Sequence, residues 1–357
     1  MLKKLPKVSV ITITYNQEKY IRQTLESIVS QETRFDFEVI VADDCSTDKT
    51  PTIIQEYEKQ YPKIFKAVLR KKNLGPWQNF TDAFKQAKGD YIALCEGDDF
   101  WTDKNKLQKQ ADFMEKHPDY TLCFHPVKVF FENGEEKDSV FPDKRSGFTV
   151  ENLLQNNFIQ TNSVMYRRRR TYEDLANDVM PGDWYLHLYH AQFGKIGFIN
   201  QVMASYRRQP GGIWWDSFNN IDSIWRKYGV LHLNMYKEVL NLYQNDPKNK
   251  KIIITHINEL LSTLIKVDKK YKDKILLEAI NTFPGLLNNF VVDVKGKEIR
   301  AKESILKLNK EIDELKSQIN NKEITINQRD KEIFNIKSSK FWKLRNKLAI
   351  LVGKKPI

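Results

Sequence analysis

The first hundred residues switch repeatedly between short apolar, often β-branched runs and stretches with a three-to-four-residue hydrophobic period. Val8-Ser-Val-Ile-Thr-Ile-Thr14 is rich in β-branched residues and predicts a strand. After the polar Tyr15-Asn16-Gln17, the stretch Glu18 to Ser30 sets Tyr20, Ile21, Leu25, Ile28 and Val29 on one helical face. Phe37 to Ala42 predicts a second strand. Thr50 to Tyr61 predicts a second helix, with Ile53, Ile54 and Tyr57 facing inward. Ile64 to Leu69 predicts a third strand and Gly75 to Ala87 a third helix. Gly89 breaks that helix before the apolar run Tyr91 to Cys95.

Strand-helix alternation at this spacing predicts a mostly parallel sheet with helices on both faces. Such sheets bind ligands beyond the carboxyl ends of their strands. The polar clusters fall at those ends: Tyr15-Asn16, then Asp43-Asp44, then Glu96, Asp98 and Asp99. Three carboxylates closing an apolar strand are costly unless positive charge sits among them. Oxygen ligands on a loop suit a hard divalent cation, Mg²⁺ or Mn²⁺, with positions left for a substrate diphosphate.

Beyond Trp101 the pattern predicts a helix from Asn105 to His117 and strand-like residues from Tyr120 to Phe131. A turn at Glu132-Asn-Gly134, a short helix from Phe148 to Asn156 and a strand from Phe158 to Tyr166 follow. His125 reads as a core histidine. The run Arg167 to Arg170 is either a grip for phosphate or anionic lipid, or a solvated turn. Gly182-Asp183-Trp184 opens another helix, and Asp183 is the candidate N-cap. Asp48 is a similar candidate before Thr50. From Ser217 to Asn289 the pattern is helical, including Ile252 to Leu264 and Tyr271 to Ile280.

From Ala301 the period becomes seven. Ile305, Ile312, Ile319, Ile326 and Ile333 form one seam, and Leu308, Leu315 and Ile336 a second, interrupted by Lys322 and Arg329. This predicts a two-stranded parallel coiled coil and hence a homo-oligomer, the alternative being one long amphipathic helix lying back on the helical domain. The last segment mixes Lys and Arg with Phe341, Trp342, Leu344, Leu348 and Leu351, which reads either as a basic amphipathic helix suited to a membrane interface or as a tail that caps the coiled coil.

Composition narrows the classes. The chain has 357 residues, 41% of them hydrophobic, and a net charge of +12. Such a balance suits anionic substrates, membranes or nucleic acid. Much of the excess lies in the tail and in Arg167 to Arg170, and no nucleic-acid-binding signature accompanies it, so no nucleic-acid partner is expected. Cys45, Cys95 and Cys123 are far apart, which predicts neither a disulfide framework nor a zinc site and suits a reducing cytoplasm. No run of 18 apolar residues predicts a membrane span.

Four segments, in order, carry a resemblance: Val8 to Asn16, Val39 to Asp48, Asn73-Leu-Gly75, and Gly89 to Trp101. Together they resemble the successive motifs of family 2 glycosyltransferases with the GT-A fold, over roughly residues 5 to 210. The resemblance implies a metal-dependent, inverting transfer from a UDP-sugar to a hydroxyl of a glycan or lipid-linked glycan. It implies bacterial surface polysaccharide synthesis at the cytoplasmic face of the membrane. Tyr15 would lie against the base, Asp44 would accept from the uracil N–H, and Asp43 would shape the site. One of Arg70, Lys71 and Lys72, with Lys71 the site candidate, would meet base or phosphate beside Asn73. The DxD motif reads Glu96-Gly97-Asp98 here, so Glu96 would face the ribose and Asp98 would bind metal. Asp99 would stand behind Asp98 or ligate through water. Asp183 would be the general base. Gln209 stands where many relatives carry His, and Gly211 and Gly212 would let that loop close over the nucleotide.

The implied organisation is a GT-A domain over 1–215, with a nucleotide-sugar half to 120 and an acceptor half from 121. An α-helical domain over 216–298, a coiled coil over 299–340 and a basic tail over 341–357 follow. Two other classes compete: a non-catalytic scaffold working through its coiled coil, and a nucleotidyltransferase. The first has no need of Asp44, Asp98 and Asp183 together. The second needs a glycine-rich phosphate loop that Tyr15-Asn-Gln-Glu18 lacks.

Overall fold

The computed structural model describes residues 5–132, 134, 138–143, 145–170, 172–173, 175–210, 212, 215, 221–267 and 287–351. The alternation expected at the start is present: β1 (Val8–Thr14), α1 (Ile21–Val29), β2 (Phe37–Asp43), α2 (Thr50–Gln60), β3 (Phe65–Leu69), α3 (Pro76–Phe84) and β4 (Tyr91–Leu94). Next come β5 (Phe100–Trp101), α4 (Lys106–Lys116), β6 (Tyr120–Phe124), β7 (Val127–Phe131), β8 (Ser139–Phe141) and α5 (Val150–Gln155). A 3-10 turn at Thr161–Ser163 leads into β9 (Met165–Arg167), α6 (Gly182–Ala191), β10 (Lys195–Phe198) and β11 (Ala204–Arg208).

One sheet has seven strands in the order β10-β6-β9-β4-β1-β2-β3. Its pairs are parallel except those of β9 with β4 and β6. Strands β1 and β4 are buried along nearly their whole length, as a sheet covered on both faces requires. Ile21, Leu25 and Ile28 of α1 and Ile53, Ile54 and Tyr57 of α2 pack into the same core. A second sheet has the order β5-β11-β7-β8.

Two expected strands are reshaped. Tyr120 to Phe131 is not one strand: it breaks at His125-Pro126, and β6 and β7 join different sheets. Pro126 has no N–H to give to a ladder. His125 is fully buried with Nδ1 2.9 Å from the Pro126 carbonyl, as a core histidine would be. In Phe158 to Tyr166 only the end is extended, and it runs antiparallel to β4.

That reversal relocates the arginine run. Arg167 pairs with Tyr91, at the start of β4, whereas the acids follow its end. Arg167 donates to the carbonyls of Met114 (2.7 Å) and Tyr120 (3.2 Å) and to the Tyr91 hydroxyl (3.3 Å). Arg168 donates to the Gly89 carbonyl, and Arg169 lies 3.6 Å from the Phe193 ring centroid. For Arg167 and Arg168 neither expectation holds: their side chains close the carboxyl end of α4 and the foot of the sheet.

Helices α7 (Ile221–Leu242) and α8 (Pro247–Val267) pack together on α5 and α6. Trp184 meets His232 and Tyr236 edge-on, and the Tyr243 hydroxyl donates to the Leu188 carbonyl at 2.8 Å. The helix expected over Tyr271 to Ile280 lies outside the described residues. The chain divides into two compact units, Met1–Pro284 and Gly285–Ile357. The second holds α9 (Leu287–Ser338), which begins upstream of the expected start at 299, and α10 (Lys340–Leu351). Among the described residues no helix is long and apolar enough to cross a membrane.

Candidate active site

The acidic turn after β4 is laced to β1. The N–H of Cys95 donates to the Ile11 carbonyl (3.1 Å) and that of Gly97 to Ile13 (3.0 Å). On α1, the Thr24 hydroxyl reaches the carbonyls of Gly97 (2.9 Å) and Asp99 (2.6 Å). A Cβ on residue 97 would stand 2.3 Å from Gln17 Oε1 and 2.7 Å from Thr14 Cβ, so only glycine lets the turn pack this closely.

The three acids point into different surroundings. Glu96 and Asp98 are partly exposed, whereas Asp99 is buried. Asp99 Oδ1 accepts the Arg207 N–H at 2.9 Å, and its buried Oδ2 has no hydrogen-bond partner. Arg207 is 8% exposed. Its Nε donates to the Asp98 carbonyl (2.9 Å), its Nη2 to Gln23 Oε1 (2.6 Å), and its Nη1 to Glu132. The guanidinium also lies 4.6 Å from the Tyr20 ring and 4.8 Å from Phe130. Arg207 thus rivets β11 to the turn and supplies cationic charge beneath it.

One arginine does not balance three acids. Burial pushes the Glu96 carboxyl up to about 8, with Asp98 and Asp183 adding repulsion. Burial likewise raises Asp98, against a hydrogen bond from Gln209 Nε2 to its Oδ2 at 3.2 Å. Burial also raises Asp99, well above the carboxylate range, and Asp98 and Glu96 add to it.

Polar residues after β1 and β2 form a neighbouring shelf. Tyr15 is 48% exposed, its ring open to a ligand. Asn16 adopts φ 53°, and its Oδ1 accepts from the N–H of Thr47 (2.8 Å). Asp43 accepts from the N–H (2.9 Å) and hydroxyl of Ser46. Asp44 accepts from the N–H groups of Leu74 (2.7 Å) and Gly75 (2.9 Å), while Asn73 Nδ2 donates to its carbonyl (3.1 Å). Its carboxylate therefore fixes the loop between β3 and α3, with one lone pair on each oxygen still unused. Asp48 is not the N-cap of α2, a position held by Lys49. It accepts instead from Thr50 N–H (2.9 Å) and Glu18 N–H (3.0 Å), tying the two loops together. Arg70 is braced by Asn79 (3.0 Å) and Asp82 (3.5 Å), whereas Lys71 and Lys72 are exposed.

Asp183 arrives from the other half of the chain. It is not the N-cap of α6, which is Pro181, but lies in the first turn. Its carboxylate sits among that turn's N–H groups, where the helix dipole favours negative charge. A Cβ on residue 182 would stand 2.3 Å from the Trp77 ring, so Gly182 lets α6 start hard against α3. Trp77 Nε1 locks this contact by donating to the Ala176 carbonyl at 2.8 Å. Asp183 Oδ2 accepts from Asn157 Nδ2 and the Thr161 hydroxyl, both at 3.3 Å. Burial raises its carboxyl, and these donors partly offset the effect.

The structure therefore brings Asp98 and Asp183 close enough to Glu96 for both to repel its charge, with Tyr15, Asp43, Asp44 and Asn73 on the same edge of the sheet. Asn157, Thr161 and Arg207 escaped the sequence reading. They sit in no acidic cluster, and only the reversal of β9 and the pairing of β11 with β5 bring them here.

The donor set fits a divalent cation. Asp98 offers a partly exposed oxygen, its neighbour Asp99 carries a buried oxygen with no hydrogen-bond partner, and three acids share the one guanidinium of Arg207. Among the described residues no group of three or more His, Cys, Asp or Glu forms a cage on its own. A Mg²⁺ or Mn²⁺ ion held at Asp98 would thus need further oxygens from water or a substrate, as such ions usually take.

An α/β sheet with these acids beyond its strand ends has the GT-A architecture of a glycosyltransferase. The chain belongs to glycosyl transferase family 2, whose model matches residues 9–210. It is 43% identical over 281 residues to an uncharacterized protein of Mycobacterium tuberculosis, covering 78% of this chain and 81% of that protein. It is 32% identical over 212 residues to the putative teichuronic acid biosynthesis glycosyltransferase TuaG of Bacillus subtilis, covering 57% of this chain and 79% of TuaG. TarS of Staphylococcus aureus, a poly(ribitol-phosphate) beta-N-acetylglucosaminyltransferase, is 38% identical over 112 residues, 31% of this chain and 19% of TarS. The crystal structure of TarS 1-349 with UDP-GlcNAc matches at 20% identity and a TM-score of 0.48, covering 80% of this chain and 92% of that one.

Proposed function

We propose that this glycosyltransferase moves a sugar from a UDP-sugar to a hydroxyl of a glycan or lipid-linked glycan, with inversion at the anomeric carbon. One observation carries the reading: the acidic turn after β4 and Asp183 at the start of α6 converge on one edge of the sheet, beside the open Tyr15 ring. Tyr15 takes the base, and an unused lone pair of Asp44 accepts from its N–H, while Asp43 and Asn73 hold the surrounding loops. Lys71 lies within the same loop segment and meets the base or a phosphate. Glu96 accepts from the ribose. A Mg²⁺ or Mn²⁺ ion held by Asp98, with Asp99 behind it, would stabilise the departing UDP diphosphate.

Asp183 acts as general base. Asn157 and Thr161 hold its Oδ2, which leaves Oδ1 to take the proton from the acceptor hydroxyl as that oxygen attacks. The names of TuaG and TarS favour a surface polymer as acceptor. The basic helix α10 favours work at the cytoplasmic face of a membrane. Its Leu344, Leu348 and Leu351 are exposed at helical spacing, and Arg345 stacks on Trp342 at 5.0 Å.

The test is a panel of nucleotide-sugars with Mn²⁺ and a lipid-linked or short glycan acceptor, followed by UDP release and NMR of the product. Turnover of one UDP-sugar to a product of inverted configuration is expected. A product of retained configuration would overturn the single-displacement mechanism, and selective turnover of another nucleotide's sugar would overturn the donor.

A further inference from the structure

The helix α9 carries an apolar stripe that nothing in the described structure covers. Residues 313–338 are exposed throughout. Leu315, Ile319, Ile326, Ile333 and Ile336 are between 47% and 57% exposed, and they fall at the two heptad positions a and d. A helix in a monomer turns such a stripe to its own core. We propose that this stripe is the seam of a parallel, in-register coiled coil between two copies of the chain. The proposal is independent of the catalytic reading.

Charge, more than hydrophobicity, identifies the occupant. Lys322 and Arg329 stand at d, where an apolar groove on an unrelated protein would strand them. Each is followed at once by an acid at e, Glu323 and Asp330. Adjacent residues on one helix do not face each other, so these acids cannot serve their own neighbours. In a parallel in-register pair, a residue at d packs beside the e residue of the other helix. Lys322 then meets Glu323 of the second copy, and Arg329 meets Asp330. The flanks agree: Glu311 at g faces Lys316 at e, and Glu332 faces Lys337, with no like-charged pair between Gln318 and Glu323 or Thr325 and Asp330. Isoleucine at every a, with leucine at the d positions 308 and 315, favours two strands. From residue 305 to 339 the seam would run about 50 Å, and it would bring both α10 helices to the same end.

Sedimentation of the full chain tests this, read as mass against the 42.2 kDa of one copy. Twice that mass is expected, falling to a single chain in the double variant Ile319→Glu, Ile326→Glu. The thermal transition of the catalytic unit should stay unchanged in that variant. Direction is read from Ile333→Cys under mild oxidation, with the parent chain as control. A parallel in-register pair brings residue 333 against its own copy, so nearly complete covalent dimer is expected. A monomeric parent chain, a trimer or tetramer, or a dimer that Ile333→Cys does not cross-link would each overturn the proposal.

Discussion

Two runs of charge sit at opposite ends of the same strand pair. Glu96 to Asp99 follow the end of β4, and Arg167 to Arg170 follow the end of β9, which runs the other way beside it. On paper both are charged turns after an apolar stretch. In the fold the acids lie where a parallel sheet gathers ligands, and they are left short of positive charge. Arg167 and Arg168 lie at the foot of the sheet and are used up on carbonyl oxygens. A charge cluster is a candidate site when the fold leaves its charge unspent, and strand direction decides which of two such clusters that is.

Substitutions can break or sharpen this contrast. The largest effect should come from Asp183→Asn, whose amide cannot take a proton: kcat should fall by up to about 10⁴, within the 10²- to 10⁴-fold range of a general base, with donor binding kept in a calorimetric titration. Asp98→Ala should cost about 10² to 10³ in turnover, the several kcal/mol that a metal supplies to a charged leaving group. Added Mn²⁺ should then no longer matter to the rate. Arg207→Ala should weaken Mn²⁺ binding about tenfold or more, since its side chain holds the Asp98 carbonyl and braces the turn against Gln23 and Glu132 rather than touching substrate. Arg207→Lys should recover little, because a lysine cannot reproduce the forked contacts.

By contrast, Arg167→Ala should lower stability by about 1.5 to 3 kcal/mol, the range for hydrogen bonds from a charged group. Its melting temperature should drop while kcat per folded molecule is unchanged. A loss of kcat there would undo the contrast between the two ends. The smallest effect is on pH dependence. Burial raises the Asp183 carboxyl, and a base works only when deprotonated. Activity should therefore fall as pH drops through a value higher than that of a free aspartate. Removing a donor in Thr161→Val should move that acid limb further upward.

Much of this was legible before the fold was known. The strands to Leu94 announce themselves by β-branched runs, and the order of polar clusters at their ends marks the edge that matters. Strand direction was not legible: nothing in Phe158 to Tyr166 says that the segment runs backwards. The sequence therefore does not place Thr161 and Asn157 beside Asp183, nor Arg167 and Arg168 at the foot of the sheet. Pro126, inside a run that reads as strand-like throughout, is the residue that could have marked a break, though not that the chain changes sheets there. Arg207 was hidden because its partners, at residues 20 to 23, 98 to 99 and 132, are distant in sequence.

The most direct test of the central claim is calorimetric titration of UDP into the protein, with and without Mn²⁺, beside Asp98→Ala. Binding that requires Mn²⁺ in the parent chain and is absent in Asp98→Ala is the expected result. Binding that ignores the metal, or survives loss of Asp98 unchanged, would contradict the placement of the donor diphosphate at the acidic turn.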